Sequence, residues 1–252
     1  MISLNSVNVI LSSKEILKDI TMEVKEGEVF SILGPSGCGK SVLLQNIIGL
    51  MKPNKGEIII DNIDITKCNK KELNQIRKKC GFLFQHSALF DSMTIEENLA
   101  FPVLQHTNLS YDIIKEKINE KLKIVGLNGI NDKKPSELSG GMQKRAALAR
   151  SIILEPKYMF YDEPTTGLDP IMSNVINDLI IDLNKRLNIT SIVVTHDMKS
   201  AFKVSDRLGL LYNGEIIVQG DKEYMKKIDD PYFLQFIEGE TNGPIDLNFI
   251  KR

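Results

Sequence analysis

Hydrophobic residues in this chain form short continuous runs that are separated by longer segments of mixed polarity. In the runs at 29–33 and 158–161 nearly every residue is apolar, so a strand there would have two apolar faces. The apolar positions of 110–125, in contrast, recur at helical spacing. Buried strands that alternate with amphipathic helices are typical of a mostly parallel sheet covered on both faces. Two β segments, 2–11 and 16–24, come first and predict an N-terminal antiparallel β region. We therefore predict an α/β fold.

The character of the sequence changes between residues 86 and 142, where helix-like segments occur without strand-like runs. This block predicts a small helical subdomain, 86–142, inserted into a core formed by 1–85 and 143–230. The alternative is that the block simply continues the core. Together these parts make a single domain, 1–230, followed by a C-terminal tail, 231–252, that mixes aromatic residues with glycine and proline. The tail would either pack on its own domain or reach across to a partner.

Composition narrows the class of function without identifying it. The 252 residues are 42% hydrophobic and 26% charged, which is ordinary for a globular protein. The formal net charge of −1 gives no sign of the basic stripe that nucleic-acid binding requires, so we predict no nucleic-acid partner. No apolar run approaches the roughly 18 residues of a membrane-spanning helix, so any membrane role would depend on a partner. Three cysteines without metal-ligand spacing favour a reducing compartment.

The most informative motif follows the apolar run at 29–33. It fits the pattern of a glycine, any four residues and then Gly-Lys-Ser: Gly34, Pro35, Ser36, Gly37, Cys38, Gly39, Lys40 and Ser41. Glycines allow backbone N–H groups to turn toward an anion, and the start of the following helix adds partial positive charge. Lys40 would reach the β- and γ-phosphates of a nucleotide, and the Ser41 hydroxyl would bind Mg²⁺. The alternative is a glycine-rich turn that begins an ordinary helix.

One residue of this loop, Cys38, has a second interpretation beyond its place in the motif. A thiol near a helix N-terminus tends to have a lowered pKa, which would make it reactive. The simpler interpretation, which we favour, is that the side chain only fills space.

Two carboxylates, Asp162 and Glu163, come directly after the apolar strand at 158–161. Charged groups at the end of a buried strand need a compensating cation or an open edge, because unpaired burial is costly. Downstream of a phosphate loop, we interpret Asp162 as a ligand of Mg²⁺ and Glu163 as the group that polarises the attacking water. The alternative is a strand end that simply meets solvent.

A second helix start with serine and glycine occurs at Ser139, Gly140 and Gly141, before the alanine-rich helix 142–154. Such an end binds anions, yet one compact nucleotide has no use for two of them on a single domain. A second copy of the chain could supply it, so that the γ-phosphate is sandwiched at a two-fold interface. The alternative is an ordinary serine-capped helix.

In their order along the chain, these motifs resemble those of the ATP-binding cassette (ABC) ATPases, and the resemblance covers nearly the whole sequence. It implies a P-loop NTPase fold with ATP and Mg²⁺ as cofactors. Residues 34–41 match the Walker A loop, and residues 158–163 match Walker B. The family signature, at 138–142, would act in trans on the nucleotide of the partner.

Three further positions match residues of this family. Gln85 would contact Mg²⁺ or water and sense the transporter, Asp169 belongs to the loop that crosses the dimer interface, and His196 would contact the γ-phosphate. The resemblance therefore implies three sets of residues. The catalytic set is Lys40, Gln85, Glu163 and His196; the Mg²⁺ ligands are Ser41, Gln85 and Asp162; the nucleotide-binding set is 34–41 with Ser139, Gly140, Gly141 and Asp169.

The chain departs from the family in its N-terminal hairpin, where members usually carry an aromatic residue that stacks on adenine. Here the region reads Val9-Ile10-Leu11-Ser12, without an aromatic side chain. An aliphatic contact would still bury the base, but it would weaken stacking. We therefore expect modest discrimination of ATP over GTP.

Within the family, the segments 84–94, 135–137, 233–239 and 243–245 are similar to the Mla-type phospholipid-transport ATPases. This resemblance implies an ATPase subunit that dimerises around two ATP and drives a separate integral-membrane permease from the cytoplasmic face of the inner membrane. An MCE-domain lipid-binding protein and a small regulatory subunit are further candidate partners. The alternatives are a small-solute importer, for example of amino acids, and a soluble scaffold as in iron–sulfur assembly.

Overall fold

The computed structural model of the protein describes residues 1–246, which contain ten strands, nine α-helices and one short 3₁₀ helix, Pro135–Glu137. The strands are β1 (Ile2–Leu11), β2 (Lys14–Val24), β3 (Val29–Leu33), β4 (Lys55–Ile60), β5 (Ile63–Asp64), β6 (Cys80–Leu83), β7 (Tyr158–Asp162), β8 (Thr190–Thr195), β9 (Arg207–Tyr212) and β10 (Glu215–Asp221). The helices are α1 (Lys40–Ile47), α2 (Lys70–Arg77), α3 (Ile95–His106), α4 (Tyr111–Ile124), α5 (Gly140–Ser151), α6 (Pro170–Leu187), α7 (Met198–Val204), α8 (Lys222–Met225) and α9 (Pro231–Glu238). None of these helices has the length and apolar character needed to cross a membrane.

The larger sheet has six strands in the order β10-β9-β3-β8-β7-β6. Neighbouring strands from β9 to β6 are parallel, and β10 pairs antiparallel with β9. The smaller sheet, in the order β2-β1-β4-β5, is antiparallel throughout. The predicted α/β fold, with a mostly parallel sheet and an N-terminal antiparallel region, is therefore confirmed.

The carboxyl ends of three parallel strands meet at one edge of the larger sheet. Leu33, the last residue of β3, pairs with Thr195, the last residue of β8. Asp162, the last residue of β7, pairs with Val194 one position earlier. The loops that follow these strands therefore begin side by side, at the edge where ligands of open α/β sheets bind.

Side chains on the central strands alternate between two hydrophobic clusters. On β7, Phe160 faces the antiparallel sheet and α1, whereas Tyr161 faces the cluster formed with α3 to α6. On β8, Ile192 faces the same cluster as Phe160, and Val193 faces the same cluster as Tyr161. Because both faces of these strands are covered, nearly every position is apolar, and this explains the continuous runs in the sequence.

The stretch 86–142, which is described in full, contains α3, α4 and the start of α5 but no strand. Thr94 begins α3 with a capping box in which its side chain and that of Glu97 each accept the backbone N–H of the other. Leu99 and Ile118 belong to the same hydrophobic cluster as the central strands. The boundary expected at residue 142 falls inside α5, and the division into core and helical subdomain stays a prediction.

The C-terminal segment packs on its own domain as far as the structure describes it. Helix α9 buries Phe233 completely. The Gln235 side chain then holds the chain that follows: its Oε1 accepts the N–H of Ile245 at 2.6 Å, and its Nε2 donates to the Ile245 carbonyl at 3.4 Å. Residues 231–246 thus agree with the first interpretation of the tail, and residues 247–252 lie outside the described part of the chain.

Candidate active site

The phosphate loop connects β3 to α1 and fits the surrounding structure only with glycine at two positions. A Cβ at Gly34 would lie 2.3 Å from the carbonyl oxygen of Leu211, in β9. Gly39 has a φ of 109°, and a Cβ there would lie 2.9 Å from the Leu17 side chain, in β2. Both positions therefore need glycine for the loop to pass between these two strands.

Lys40 is buried beside this loop, with only 6% of its surface exposed. Its ammonium donates to the carbonyl oxygens of Gly34 at 2.7 Å and Pro35 at 3.0 Å, and it lies 3.5 Å from Oε1 of Glu163. Burial of a cation is tolerated when hydrogen bonds and an opposite charge compensate it. The ammonium is therefore held where the phosphates of a nucleotide in the loop would meet it.

Ser41 and Asp162, two of the predicted Mg²⁺ ligands, are neighbours. The Ser41 hydroxyl donates to Oδ1 of Asp162 at 3.1 Å. Burial raises the pKa of the Asp162 carboxyl, and the hydrogen bond from Ser41 only partly offsets this effect. A hydroxyl and a carboxylate are the hard oxygen donors that Mg²⁺ takes together with phosphate oxygens and water. The donor set therefore fits Mg²⁺, and a cation here would favour the ionised carboxylate.

Glu163 follows β7 in a left-handed backbone conformation with φ of 48°. Its N–H donates to the Val194 carbonyl of β8 at 2.9 Å, and 7% of the residue is exposed. Non-glycine residues in this conformation are strained, and such strain is concentrated at functional sites. Here the backbone turn sets the carboxylate between Lys40 and His196.

The two oxygens of the Glu163 carboxylate have different neighbours. Oε2 lies 2.9 Å from Nδ1 of His196 and accepts the hydroxyls of Thr166 at 3.1 Å and Thr195 at 3.3 Å, whereas Oε1 faces Lys40. Burial alone would raise the pKa of Glu163, but His196 and Lys40 outweigh it and lower that pKa below its ordinary value. The carboxylate is therefore ionised near neutral pH, and Oε1 is the oxygen directed toward Lys40.

A single cavity of about 350 Å³ brings together the four residues predicted for catalysis. Its lining consists of Ile16, Ser36, Gly37, Gly39, Lys40, Ser41, Val42, Gln85, Glu163 and His196. Asp162 is joined to this lining by its hydrogen bond from Ser41. Within residues 1–246, the predicted nucleotide-binding residues outside the phosphate loop are not part of the lining.

Three of those remaining residues, Ser139, Gly140 and Asp169, lie on an exposed surface formed by two helix starts, whereas Gly141 is buried beneath it. Ser139 is the N-cap of α5 and Asp169 is the N-cap of α6, and both are exposed together with Gly140. Gly141 packs against the first turn of α6, because a Cβ there would lie 2.7 Å from Cε of Met172. The structure therefore places Ser139 and Asp169 on neighbouring helix starts, separate from the cavity lining.

The expectation of a lowered pKa at Cys38 is wrong. Burial raises the pKa of the thiol by more than the nearby charge of Lys40 lowers it. The sulfur atom also lies 2.7 Å from the place that a Cβ of Gly34 would take. Cys38 therefore fills the space beside that glycine, which is the simpler of the two interpretations.

The sequence did not reveal two residues at this site. Ile16 of β2 lines the cavity, whereas none of 9–12 does so among the described residues. Lys144 of α5 is buried, and its ammonium donates to the backbone carbonyl of Gln85 at 2.6 Å. Ile16 had a detectable signal, since it begins an apolar segment next to the hairpin turn. Lys144 had none, because a lysine on a helix is ordinarily exposed.

Comparison with known proteins assigns the chain to a family. Residues 17–166, more than half of the chain, match the model described as ABC transporter. The chain is 42% identical over 247 residues to the "Probable ribonucleotide transport ATP-binding protein mkl" of Mycobacterium tuberculosis strain H37Rv, with 98% of this chain and 69% of that protein covered. It is also 42% identical over 234 residues to the "Intermembrane phospholipid transport system ATP-binding protein MlaF" of Haemophilus influenzae, with 93% and 89% covered.

Solved structures share the architecture described above. The dimeric ATP-binding cassette MJ0796, in a post-hydrolysis state bound to ADP and Pi, matches with a TM-score of 0.82 and 35% identity, covering 88% of this chain and 99% of that one. CbiO1 from Clostridium perfringens, part of the ABC transporter complex cbiONQ, matches with a TM-score of 0.82 and 34% identity, covering 89% and 90%. The chain therefore belongs to the ABC transporter ATP-binding family and is an ATPase, as its motifs predicted.

Proposed function

We propose that the chain is the ATP-hydrolysing subunit of a phospholipid transporter and that two copies close around two ATP to drive a separate membrane permease. The observation that carries this proposal is the division of the predicted site between two surfaces. Lys40 and Glu163 line the cavity, whereas Ser139 and Asp169 lie on exposed helix starts outside it. A second copy related by two-fold symmetry would bring its own Ser139 to the cavity of the first. The dimeric state of the MJ0796 cassette supports this arrangement.

Hydrolysis in each cavity would depend on positioned charges, without a covalent intermediate. Mg²⁺, held by Ser41, Asp162 and Gln85, would neutralise charge on the β- and γ-phosphates. Oε1 of Glu163 would accept a proton from the attacking water, while His196 holds the carboxylate through Oε2. The histidine is 52% exposed, so it could also face the γ-phosphate.

Lys40 would link nucleotide binding to the basicity of Glu163. In the structure its ammonium lies between the loop carbonyls and Oε1 of Glu163. Phosphate oxygens form strong charge-assisted hydrogen bonds with an ammonium, so a bound nucleotide would draw Lys40 toward itself. The weaker pairing with Glu163 would then leave Oε1 a better proton acceptor.

An exposed aromatic groove of about 470 Å³ supports a permease as partner. Its lining includes Phe84, Phe90 and Phe101, of which 39%, 43% and 39% are exposed, and the Arg150 guanidinium lies 5.7 Å from the Phe90 ring. Aromatic side chains with an arginine are typical of the centre of protein interfaces. Phe84 directly precedes Gln85, so a permease segment seated in this groove would be coupled to the catalytic cavity.

The cargo is proposed from the relatives and from local sequence. The Haemophilus influenzae relative is named for intermembrane phospholipid transport and aligns with 93% of this chain. The mycobacterial relative is named for ribonucleotide transport. The resemblance of segments 84–94, 135–137, 233–239 and 243–245 to Mla-type ATPases favours phospholipid. We place the chain at the cytoplasmic face of the inner membrane, with an MCE-domain lipid-binding protein and a small regulatory subunit as further partners.

Purification of the chain from membranes with its native partners tests this proposal. We expect an integral-membrane protein to co-purify, and we expect the complex to move labelled phospholipid between vesicle populations when Mg²⁺ and ATP are added. The Glu163→Gln complex should not move it. Stimulation of ATPase activity by ribonucleotides without lipid movement would contradict the cargo but leave the ATPase assignment intact. Recovery with soluble iron–sulfur assembly proteins alone would overturn the role in transport.

A further inference from the structure

Lys144 lies in the middle of α5 and is almost completely buried, with 3% of its surface exposed. Its ammonium donates to two backbone carbonyls, Gln85 at 2.6 Å and Phe84 at 3.4 Å. Among residues 1–246, no carboxylate forms an ion pair with it; Asp162 and Glu163 act on it only as more distant charges. Lys144 is thus a buried cation that is compensated chiefly by the backbone of one loop.

Burial of an ammonium without a paired carboxylate costs free energy, because its lost hydration is replaced only by the partial charges of carbonyl oxygens. A methionine would fill a similar volume at this position without that cost. Lys121, the buried lysine of α4, shows the usual solution, since its ammonium lies 2.8 Å from Glu120 and 3.3 Å from Glu155. The Lys144 ammonium instead donates to backbone carbonyls, so its contribution lies in holding that backbone in place.

The group held by Lys144 is the backbone of Gln85, whose side chain lines the nucleotide cavity. Lys144 also lies on the helix that Ser139 begins, little more than one turn from its first residue. A helix transmits displacement along its axis as a rigid element. A shift at the Ser139 end would therefore move the Lys144 ammonium and, with it, the backbone of Gln85.

We propose that Lys144 is a positioning residue that couples the partner's nucleotide, sensed at the start of α5, to Gln85 in the cavity of its own chain. This inference rests on the proposed dimer. When the Ser139 end of α5 meets the γ-phosphate bound by the partner, Lys144 sets the Gln85 loop for hydrolysis. Each site then becomes fully competent only when the opposite site is occupied.

The test compares Lys144→Met with Lys121→Met, a matched change at a buried lysine that does not contact the Gln85 loop, in the full-length chain. Lys144→Met should lower kcat for ATP about ten- to a hundredfold while KM and ATP-dependent dimerisation stay near wild type. Lys121→Met should lower the thermal midpoint with little change in kcat. Lys144→Arg keeps a charged donor and should recover part of the lost kcat.

A double-mutant cycle with Gln85→Ala identifies the route of the effect. If Lys144 acts through Gln85, the double variant should have the kcat of Gln85→Ala alone, because the side chain to be positioned is already gone. If the losses of kcat caused by the two substitutions were additive, the inference would be overturned. It would also be overturned if both lysine variants lost stability equally and kept the wild-type kcat. If Lys144→Met does not fold, Lys144→Gln serves in the same cycle. Failure of the wild-type chain to dimerise with ATP would refute the proposed function instead.

Discussion

The Nδ1 atom of His196 lies 2.9 Å from Oε2 of Glu163, so the residue that follows β8 fixes the carboxylate that follows β7. The two strands are parallel neighbours, and their ends meet at the same edge of the sheet. The contact is therefore a direct result of strand order. It leaves Oε1 of Glu163 directed toward Lys40 and toward the cavity that a nucleotide would fill.

Loss of the His196 imidazole should affect the rate more than substrate binding. His196→Ala removes the shortest of the contacts that Oε2 makes and leaves only the two threonine hydroxyls to hold the carboxylate side chain, so we expect kcat to fall about ten- to a hundredfold with a small change in KM. Steady-state ATPase kinetics measure this. The matched control is His106→Ala, an exposed histidine at the end of α3. Equal effects of the two substitutions would contradict the role of His196.

A methyl group at position 140 should weaken dimer closure without affecting the folding of the chain. Among residues 1–246, a Cβ at this position meets no atom within 4 Å apart from its chain neighbours and the backbone of its own helix, so Gly140→Ala should change the free energy of unfolding by less than about 0.5 kcal/mol. In the closed dimer the same methyl group would face the partner's nucleotide and hinder close approach. We expect nucleotide binding to persist while ATP-dependent dimerisation and hydrolysis weaken. Unchanged hydrolysis would argue against action in trans.

Base selectivity should be modest because the cavity lining, within residues 1–246, contains no phenylalanine, tyrosine or tryptophan. Ile16 offers an aliphatic contact there, which would give little preference for adenine over guanine. We expect ATP and GTP to compete with apparent affinities within about tenfold of each other. Ile16→Tyr should increase the preference for ATP, whereas Ile16→Val should leave it unchanged. A strong preference for ATP in the wild-type chain would refute this expectation.

The stability of the chain should depend on the ionisation of Asp61. Burial alone would raise the pKa of this carboxyl, but hydrogen bonds from Tyr158, Lys157 and Lys79 outweigh it and hold the pKa well below its usual value. A depressed pKa contributes stability that is present above the unfolded pKa of about 3.9 and is lost as pH falls toward the folded value. Asp61→Asn should therefore lower the free energy of unfolding by about 1–2 kcal/mol at pH 7.

Urea unfolding at several pH values measures this dependence. The difference between wild type and Asp61→Asn should be constant from pH 7 to pH 5 and shrink below about pH 4. Asp182→Asn is the matched control, because Asp182 is 57% exposed and its ion pair within the described residues is with Arg186, one helical turn away. It should change stability by less than about 0.5 kcal/mol. A difference that grows as pH falls would contradict the assignment.

Much of the fold and of the cavity follows from local patterns in the sequence. The continuous apolar runs of β3, β7 and β8 reflect strands covered on both faces, and each run ends where a motif begins. Because parallel strands share one edge, Lys40 and Glu163 could be expected to meet there. The helices α7 and α9 were not anticipated, because they are short and their stability comes from packing against the sheet.

Features that depend on tertiary packing could not be predicted in the same way. The loop position of Cys38 predicts a lowered pKa, but burial in the folded chain has the larger effect and raises it. The position of Ile16 at the cavity depends on how the antiparallel sheet packs beside the phosphate loop. The burial of Lys144 depends on the approach of the Gln85 loop to α5. None of these contacts has a sequence period or spacing.

The Glu163→Gln chain should separate closure of two copies around ATP from hydrolysis, because it keeps the nucleotide cavity but loses the carboxylate that drives hydrolysis. Sedimentation with Mg²⁺ and ATP, and with Mg²⁺ and ADP, gives its mass, and a phosphate-release assay gives its turnover. We expect a dimer with ATP, a monomer with ADP and turnover reduced about a hundredfold or more. A variant that stays monomeric in saturating ATP, or that hydrolyses ATP at the wild-type rate, would contradict this expectation.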